Sequence, residues 1–186
     1  MNDELRILID VDNVLNNLNE HVYNLCGIDL YKIKNLNDTN NENVQEVVEL
    51  LKDSSIYEDL KVSDSVEELE KMSADNEIIM SMFCNNNTEL MNRINWIQKH
   101  INTKNMELNV ELENKKRVKN LDVAISNNKD NLKIHKARYS ILVNGFNDSE
   151  EPNETDGRFI QLDSLENVIS FIKEIKYDGQ FANKLI

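Results

Sequence analysis

The chain reads as an α/β protein with a Rossmann-like, mostly parallel sheet, helices on both faces and a small helical cap inserted after the first strand. Three observations predict this. Short apolar runs alternate with stretches of helical periodicity along the whole chain. Most of the runs are continuously apolar rather than alternating, as expected of parallel strands covered on both faces. One long, polar, helical stretch breaks the alternation, and it falls directly after the first run.

The strand candidates are Leu5–Ile9, Glu77–Met82, Met106–Val110, Val123–Ile125, Tyr139–Val143 and Phe159–Leu162. Helices fill the gaps. Val44, Val47, Val48 and Leu51 keep the i, i+3, i+4, i+7 spacing of one apolar helix face. Ser65-Val66-Glu67-Glu68 has the form of a capping box and opens a helix through Leu69 and Met72. Leu90, Ile94, Ile97 and Ile101 form a further stripe, with Asn87-Thr88 as its expected cap. Met91 and Trp96 on that helix read as core or packing residues. Leu165, Val168, Ile169, Ile172 and Ile175 form the last stripe, after Ser164. Asn144–Arg158, rich in acids with two Gly and one Pro, reads as a surface loop.

With 186 residues, the chain is long enough for one domain with a small insertion. We read 1–15 and 61–186 as the core and 16–60 as the helical cap. A net charge of −13 argues against binding a nucleic-acid polymer, which needs basic patches. It leaves room for a small phosphorylated substrate, because a metal ion can supply positive charge locally. Cys26 and Cys84 lack CxxC spacing and are expected to be reduced. The acidic Met1-Asn2-Asp3-Glu4 does not resemble a signal peptide, and no apolar run reaches the length of a membrane span. The expectation is a cytoplasmic protein. His21, His100 and His135 show no metal-ligand spacing.

In an open parallel sheet, ligands bind beyond the carboxyl ends of the strands. Asp10 ends the first strand there, Ser81 lies near the end of the second, and Ser126-Asn127 end the fourth. Asp10 and Asp12, two residues apart, can serve phosphoryl transfer. A carboxylate can attack phosphorus, a second acid can carry the leaving-group proton, and Mg²⁺ commonly takes one or two carboxylates beside substrate phosphate and water. A pair of turn-forming Asp residues explains the same spacing without chemistry.

From Ile7 onward, over most of its length, the sequence resembles the haloacid-dehalogenase superfamily of phosphatases, and within it the 5'(3')-deoxyribonucleotidases. Ile9-Asp10-Val11-Asp12-Asn13-Val14-Leu15 is similar to that family's opening motif. Tyr57-Glu58-Asp59-Leu60 and Val66-Glu67-Glu68-Leu69 look like its return from cap to core. Glu77-Ile78-Ile79-Met80-Ser81 falls where the family has a strand ending in a phosphate-binding hydroxyl. Asn95–His100 is similar to its following helix. Leu121-Asp122-Val123-Ala124-Ile125 resembles its next core strand, and Asp130-Asn131 its trailing acidic–Asn pair.

The resemblance implies Asp10 as nucleophile and Mg²⁺ ligand. It implies Asp12 as general acid/base and as a ligand through its backbone carbonyl. Ser81 would hold the phosphate, and Lys116 would offset its charge, with Lys115 and Lys119 near enough in sequence to substitute. The cap would close over a nucleoside, with Val14, Leu15 and Tyr23 either lining the cleft or packing the core. Where the family ends its fourth strand with two Asp, this chain has Ser126 and Asn127. Asn127 can ligate Mg²⁺ only through an uncharged amide oxygen. Asp122 stands about 13 Å away along the strand, while Asp130 could swing back from the loop. Two expectations therefore stand side by side. One is a Mg²⁺-dependent phosphatase for nucleoside monophosphates. The other is a degenerate relative that binds a nucleotide or a protein without turnover. Oligomeric state is left open.

Overall fold

The computed structural model describes residues 4–33, 40–111, 118–143 and 158–182. Six strands form one sheet: β1 Arg6–Asp10, β2 Glu77–Phe83, β3 Met106–Glu111, β4 Leu121–Ser126, β5 Ala137–Val143 and β6 Arg158–Leu162. Their order is β3-β2-β1-β4-β5-β6, and every neighbouring pair is parallel. The sheet is therefore wholly parallel rather than mostly so. All six strands lie where the apolar runs predict them.

Central position explains the composition of β1. It is hydrogen-bonded on both edges and covered on both faces, and Ile7, Leu8 and Ile9 are all buried. Alternation still sorts them. Ile7, Ile9, Ile78, Met80, Val123, Ile125 and Ile141 join one apolar cluster, and Leu8, Ile79, Ala124 and Leu142 join another. The first cluster is the thicker layer. It takes in Val66 and Leu69 of α4 (Val66–Met72), Trp96 and Ile97 of α5 (Asn87–His100), and Leu165, Val168, Ile169 and Ile172 of α7 (Leu165–Ala182). The second cluster is closed by Leu132 of the short α6 (Lys129–Ile134).

Between β1 and α4 lie α1 (Leu18–Cys26), a 3₁₀ turn (Leu30–Lys32), α2 (Glu42–Leu50) and α3 (Ser55–Glu58). Their buried residues Val22, Val47, Leu51, Ile56, Tyr57 and Leu60 belong to the same cluster as the sheet's thicker layer. An isolated antiparallel bridge, Asn16–Val62, ties the start of this segment to its end. Gly27 closes α1 at φ 74°, the left-handed cap conformation that a residue without Cβ adopts freely.

Three local expectations need correction. Ser65 precedes α4, but its side chain makes no capping bond, because its backbone (φ −93°, ψ 7°) is not the extended one that aims a cap oxygen at the helix. Asn86, not Asn87-Thr88, caps α5; its extended backbone lets Oδ1 accept from Glu89 N at 2.9 Å. Met91 is 53% exposed, because the inward face of α5 is set by its neighbours at i−1 and i+3, Leu90 and Ile94. No helix among the described residues is long and apolar enough to cross a membrane.

Candidate functional site

The strand order reverses between β1 and β4, and both strands end at the same rim. In a sheet of this order, the crevice outside that point is where ligands bind. Register places the rim residues. Asp10 stands opposite Ser81 across β1 and β2, and Ile9 opposite Ile125 across β1 and β4, which brings Ser126 beside Asp10. Ser81 is in turn opposite Asn109 of β3, whose amide approaches the Ser81 hydroxyl at 3.4 Å.

Asp10 is only 8% exposed. Its Oδ2 accepts from the Ser126 hydroxyl and, at 2.8 Å, from the Asn131 amide of α6. The Ser126 oxygen also accepts from the backbone N of Asn128 at 3.0 Å, which fixes the turn out of β4. So Ser126 donates to the carboxylate that an acid in its place would repel.

Beyond Asp10 the chain leaves the sheet. Val11 N donates to the Ser81 carbonyl at 2.9 Å, and Leu15 N to the Val11 carbonyl at 3.0 Å. Asn13 takes φ 63° in this turn, a left-handed position that Asn tolerates better than most residues. Asn16 Oδ1 accepts from Asn13 N at 3.0 Å and from Leu18 N at 3.2 Å, bracing the turn into α1. These bonds hold Asp12 two residues past the strand end.

The Asp12 carboxylate has a donor on each oxygen. Asn16 Nδ2 reaches Oδ1 at 3.2 Å, and Arg93 Nε reaches Oδ2 at 2.7 Å. Arg93 comes from α5 and is 4% exposed; its Nη1 pairs with Glu89, itself 1% exposed. Asn85 donates to the other Glu89 oxygen through its backbone N at 2.8 Å and its amide at 2.9 Å. The guanidinium lies 5.7 Å from the centre of the Tyr57 ring. Burial works against charge on Arg93, but Asp12, then Tyr57 and Glu89, more than offset it and hold the group protonated. Burial pushes the Cys84 thiol up to about 11 despite Arg93, so Cys84 is no ready nucleophile. Burial likewise raises the Tyr57 hydroxyl, which has no hydrogen-bond partner among the described residues.

Asn127 follows Ser126 on the same rim. Its side chain hydrogen-bonds the Tyr31 hydroxyl of the 3₁₀ turn; burial, partly countered by this bond, raises the Tyr31 pKa. Asp130 does not swing back to the site: it pairs with Lys133 at 3.1 Å on the surface of α6. Asp122 sits at the far end of β4, accepting from Arg6 N at 2.9 Å. Lys119 is at that far end too, its carbonyl accepting from Arg6 Nη1 at 2.8 Å. Lys116 and Lys115 lie outside the described residues. Val14 and Leu15 are core residues, while Tyr23 is exposed on α1.

Asp10, Asp12, Ser81, Ser126 and Asn127 thus share one rim. Reasoning from sequence missed Arg93, Glu89, Asn16 and Tyr31, and it named Asn131 only within the acidic–Asn pair of the resemblance, with no role at Asp10. Only the Glu89–Arg93 spacing carried a signal, and it reads as a surface pair.

Does Mg²⁺ suit this donor set? Among the described residues, no three acidic, His or Cys groups gather to hold a metal. Both oxygens of Asp12 have protein donors, and the amide of Asn127 is engaged by Tyr31. An ion here would meet the Asp10 carboxylate, whose Oδ2 already accepts from Ser126 and Asn131, with the Asp12 backbone carbonyl and the Asn127 amide oxygen. One carboxylate suits an ion that shares its shell with substrate phosphate and water, and not an ion held by protein groups alone. No family model and no curated protein matches the chain.

Proposed function

We propose that this chain is a phosphomonoesterase for small phosphorylated metabolites, of the nucleoside monophosphate class, working through Asp10. One observation carries the reading. Asp10 ends β1, which flanks the point where the strand order reverses, and is paired in register with Ser81, two residues before the end of the parallel neighbour β2, with the fixed carboxylate of Asp12 just beyond.

In this reading an Asp10 oxygen forms a bond to phosphorus as the bond to the ester oxygen breaks. Asp12 gives its proton to the departing oxygen. It then takes one from the water whose oxygen displaces Asp10 from phosphorus. Ser81 donates to a phosphate oxygen; Lys116, to which the resemblance gives the offsetting charge, lies outside the described residues. Mg²⁺, held by Asp10, the Asp12 backbone and Asn127 together with the substrate, would neutralise charge on the transferring group. The helices between β1 and β2 would cover the organic part of the substrate. The chain's charge of −13 fits a small ligand rather than a nucleic-acid polymer or an anionic membrane surface.

The test is phosphate release from a panel of nucleoside and deoxynucleoside monophosphates in excess Mg²⁺, with Asp10→Asn alongside. Release by the native chain, abolished in a folded Asp10→Asn protein, is the expected outcome. A second reading, ligand binding without turnover, is favoured by the Ser126 hydroxyl and Asn131 amide on Asp10. Calorimetric binding of a nucleotide with no release from any substrate would establish that one and sink the enzyme.

A further inference from the structure

The Glu89–Arg93 pair is spaced for a helix surface, yet both side chains are almost fully buried. Surface pairs at i, i+4 are stabilised by a few tenths of a kcal/mol. A buried pair loses its hydration and often contributes less to stability than apolar residues of the same volume. The inward turn of this pair therefore calls for an explanation other than stability, and its contacts give one. Glu89 is fixed from behind by two donors of Asn85. It binds one nitrogen of the guanidinium, and the neighbouring Nε reaches across 81 residues of sequence to Asp12. The Tyr57 ring lies against the same group, and Cys84 Sγ stands 3.5 Å from Nη1. The contacts around Arg93 restrict it, and through Asp12, its side chain 21% exposed, the network reaches the rim.

We infer that Arg93 is a positioning residue for the proposed reaction: braced by Glu89, it fixes the carboxylate plane of Asp12 for proton transfer at the rim. The inference rests on the phosphomonoesterase reading. A proton carrier must lie within hydrogen-bond reach of its target, and a misplacement of about 1 Å costs on the order of 100-fold in rate. Asn16 on one oxygen and Arg93 on the other leave the carboxylate little rotation. A planar fork bonds two carboxylates at once from one rigid group, which a lysine ammonium does not reproduce.

The test pairs Arg93→Lys with the charge-neutral double variant Glu89→Gln/Arg93→Met, which leaves no unpaired Glu89 charge in the core. In both, kcat is expected to fall about 10- to 100-fold with KM changed less than about threefold, while the thermal midpoint stays near that of the native chain. In Glu89→Gln/Arg93→Ala, millimolar guanidinium ion is expected to restore part of kcat. Native kcat in a folded variant, or a loss carried by KM, overturns the inference. If the native chain itself releases no phosphate, the phosphatase reading has failed, and a crystal structure of the double variant then decides this one. Asp12 in a new rotamer supports the positioning role; Asp12 unmoved overturns it.

Discussion

Asn127 shows how one atom type decides what a rim can hold. As Asn it offers an uncharged oxygen and is engaged by the Tyr31 hydroxyl. Asn127→Asp would return one negative charge to the end of β4. A carboxylate about 4 Å from a divalent ion gains roughly 2 kcal/mol even at the dielectric of water. Mg²⁺ affinity measured by calorimetry is therefore expected to tighten by at least about tenfold, with the fold retained. An unchanged affinity would mean that the ion does not approach β4. At this scale the site was half legible in the sequence. Asp10, Asp12, Ser81 and Asn127 were found because strand ends can be read from apolar runs, and in a parallel sheet those ends share one rim. Arg93 escaped, and Asn131 was named without a role, because a helical charge or amide carries no mark of the direction it faces. Ser126 was read only as a lost acid, whereas it donates to Asp10.

The helices separate what a motif promises from what backbone geometry delivers. Asn86 and Ser65 both precede helices, and Ser65 has the better capping sequence. Yet Asn86 is extended and bonded to Glu89 N, and Ser65 is neither extended nor bonded. Asn86→Ala is expected to cost about 1 kcal/mol in urea denaturation, and Ser65→Ala only a few tenths. Equal losses would contradict the cap assignments. Asn86→Ala should also loosen Glu89, whose backbone N is the capped group, and with it the brace on Arg93. The α5 cap was misplaced by one residue because Asn85, Asn86 and Asn87 are equivalent as sequence; their backbone angles alone choose between them. The strands were legible for the opposite reason. A central strand covered on both faces needs a continuous apolar run, as Ile7-Leu8-Ile9 of β1 and Ile78-Ile79-Met80 of β2 show.

For the molecule as a whole, two electrostatic effects oppose each other. Acids outnumber bases by 34 to 21, so the folded chain repels itself, and compaction brings those charges closer than they are in the unfolded state. Against this stand exposed ion pairs that favour folding: Lys52 with Glu49 at 2.6 Å, Lys133 with Asp130 at 3.1 Å, and Lys173 of α7 with Glu68 of α4 at 2.5 Å. Such pairs each contribute little, and salt weakens them. Salt also screens the repulsion: the Debye length falls from about 30 Å at 0.01 M to about 8 Å at 0.15 M. The repulsion acts over longer distances than the pairs do, so screening removes more of it. The thermal midpoint is therefore expected to rise with NaCl across that range by about 2–4 °C, on the order of 1 kcal/mol for a chain of this size. Lys173→Met, which breaks the α4–α7 pair, should leave that slope nearly unchanged if long-range repulsion is its source. A midpoint that falls with salt would place the surface pairs ahead of the repulsion, and Lys173→Met would then flatten the fall.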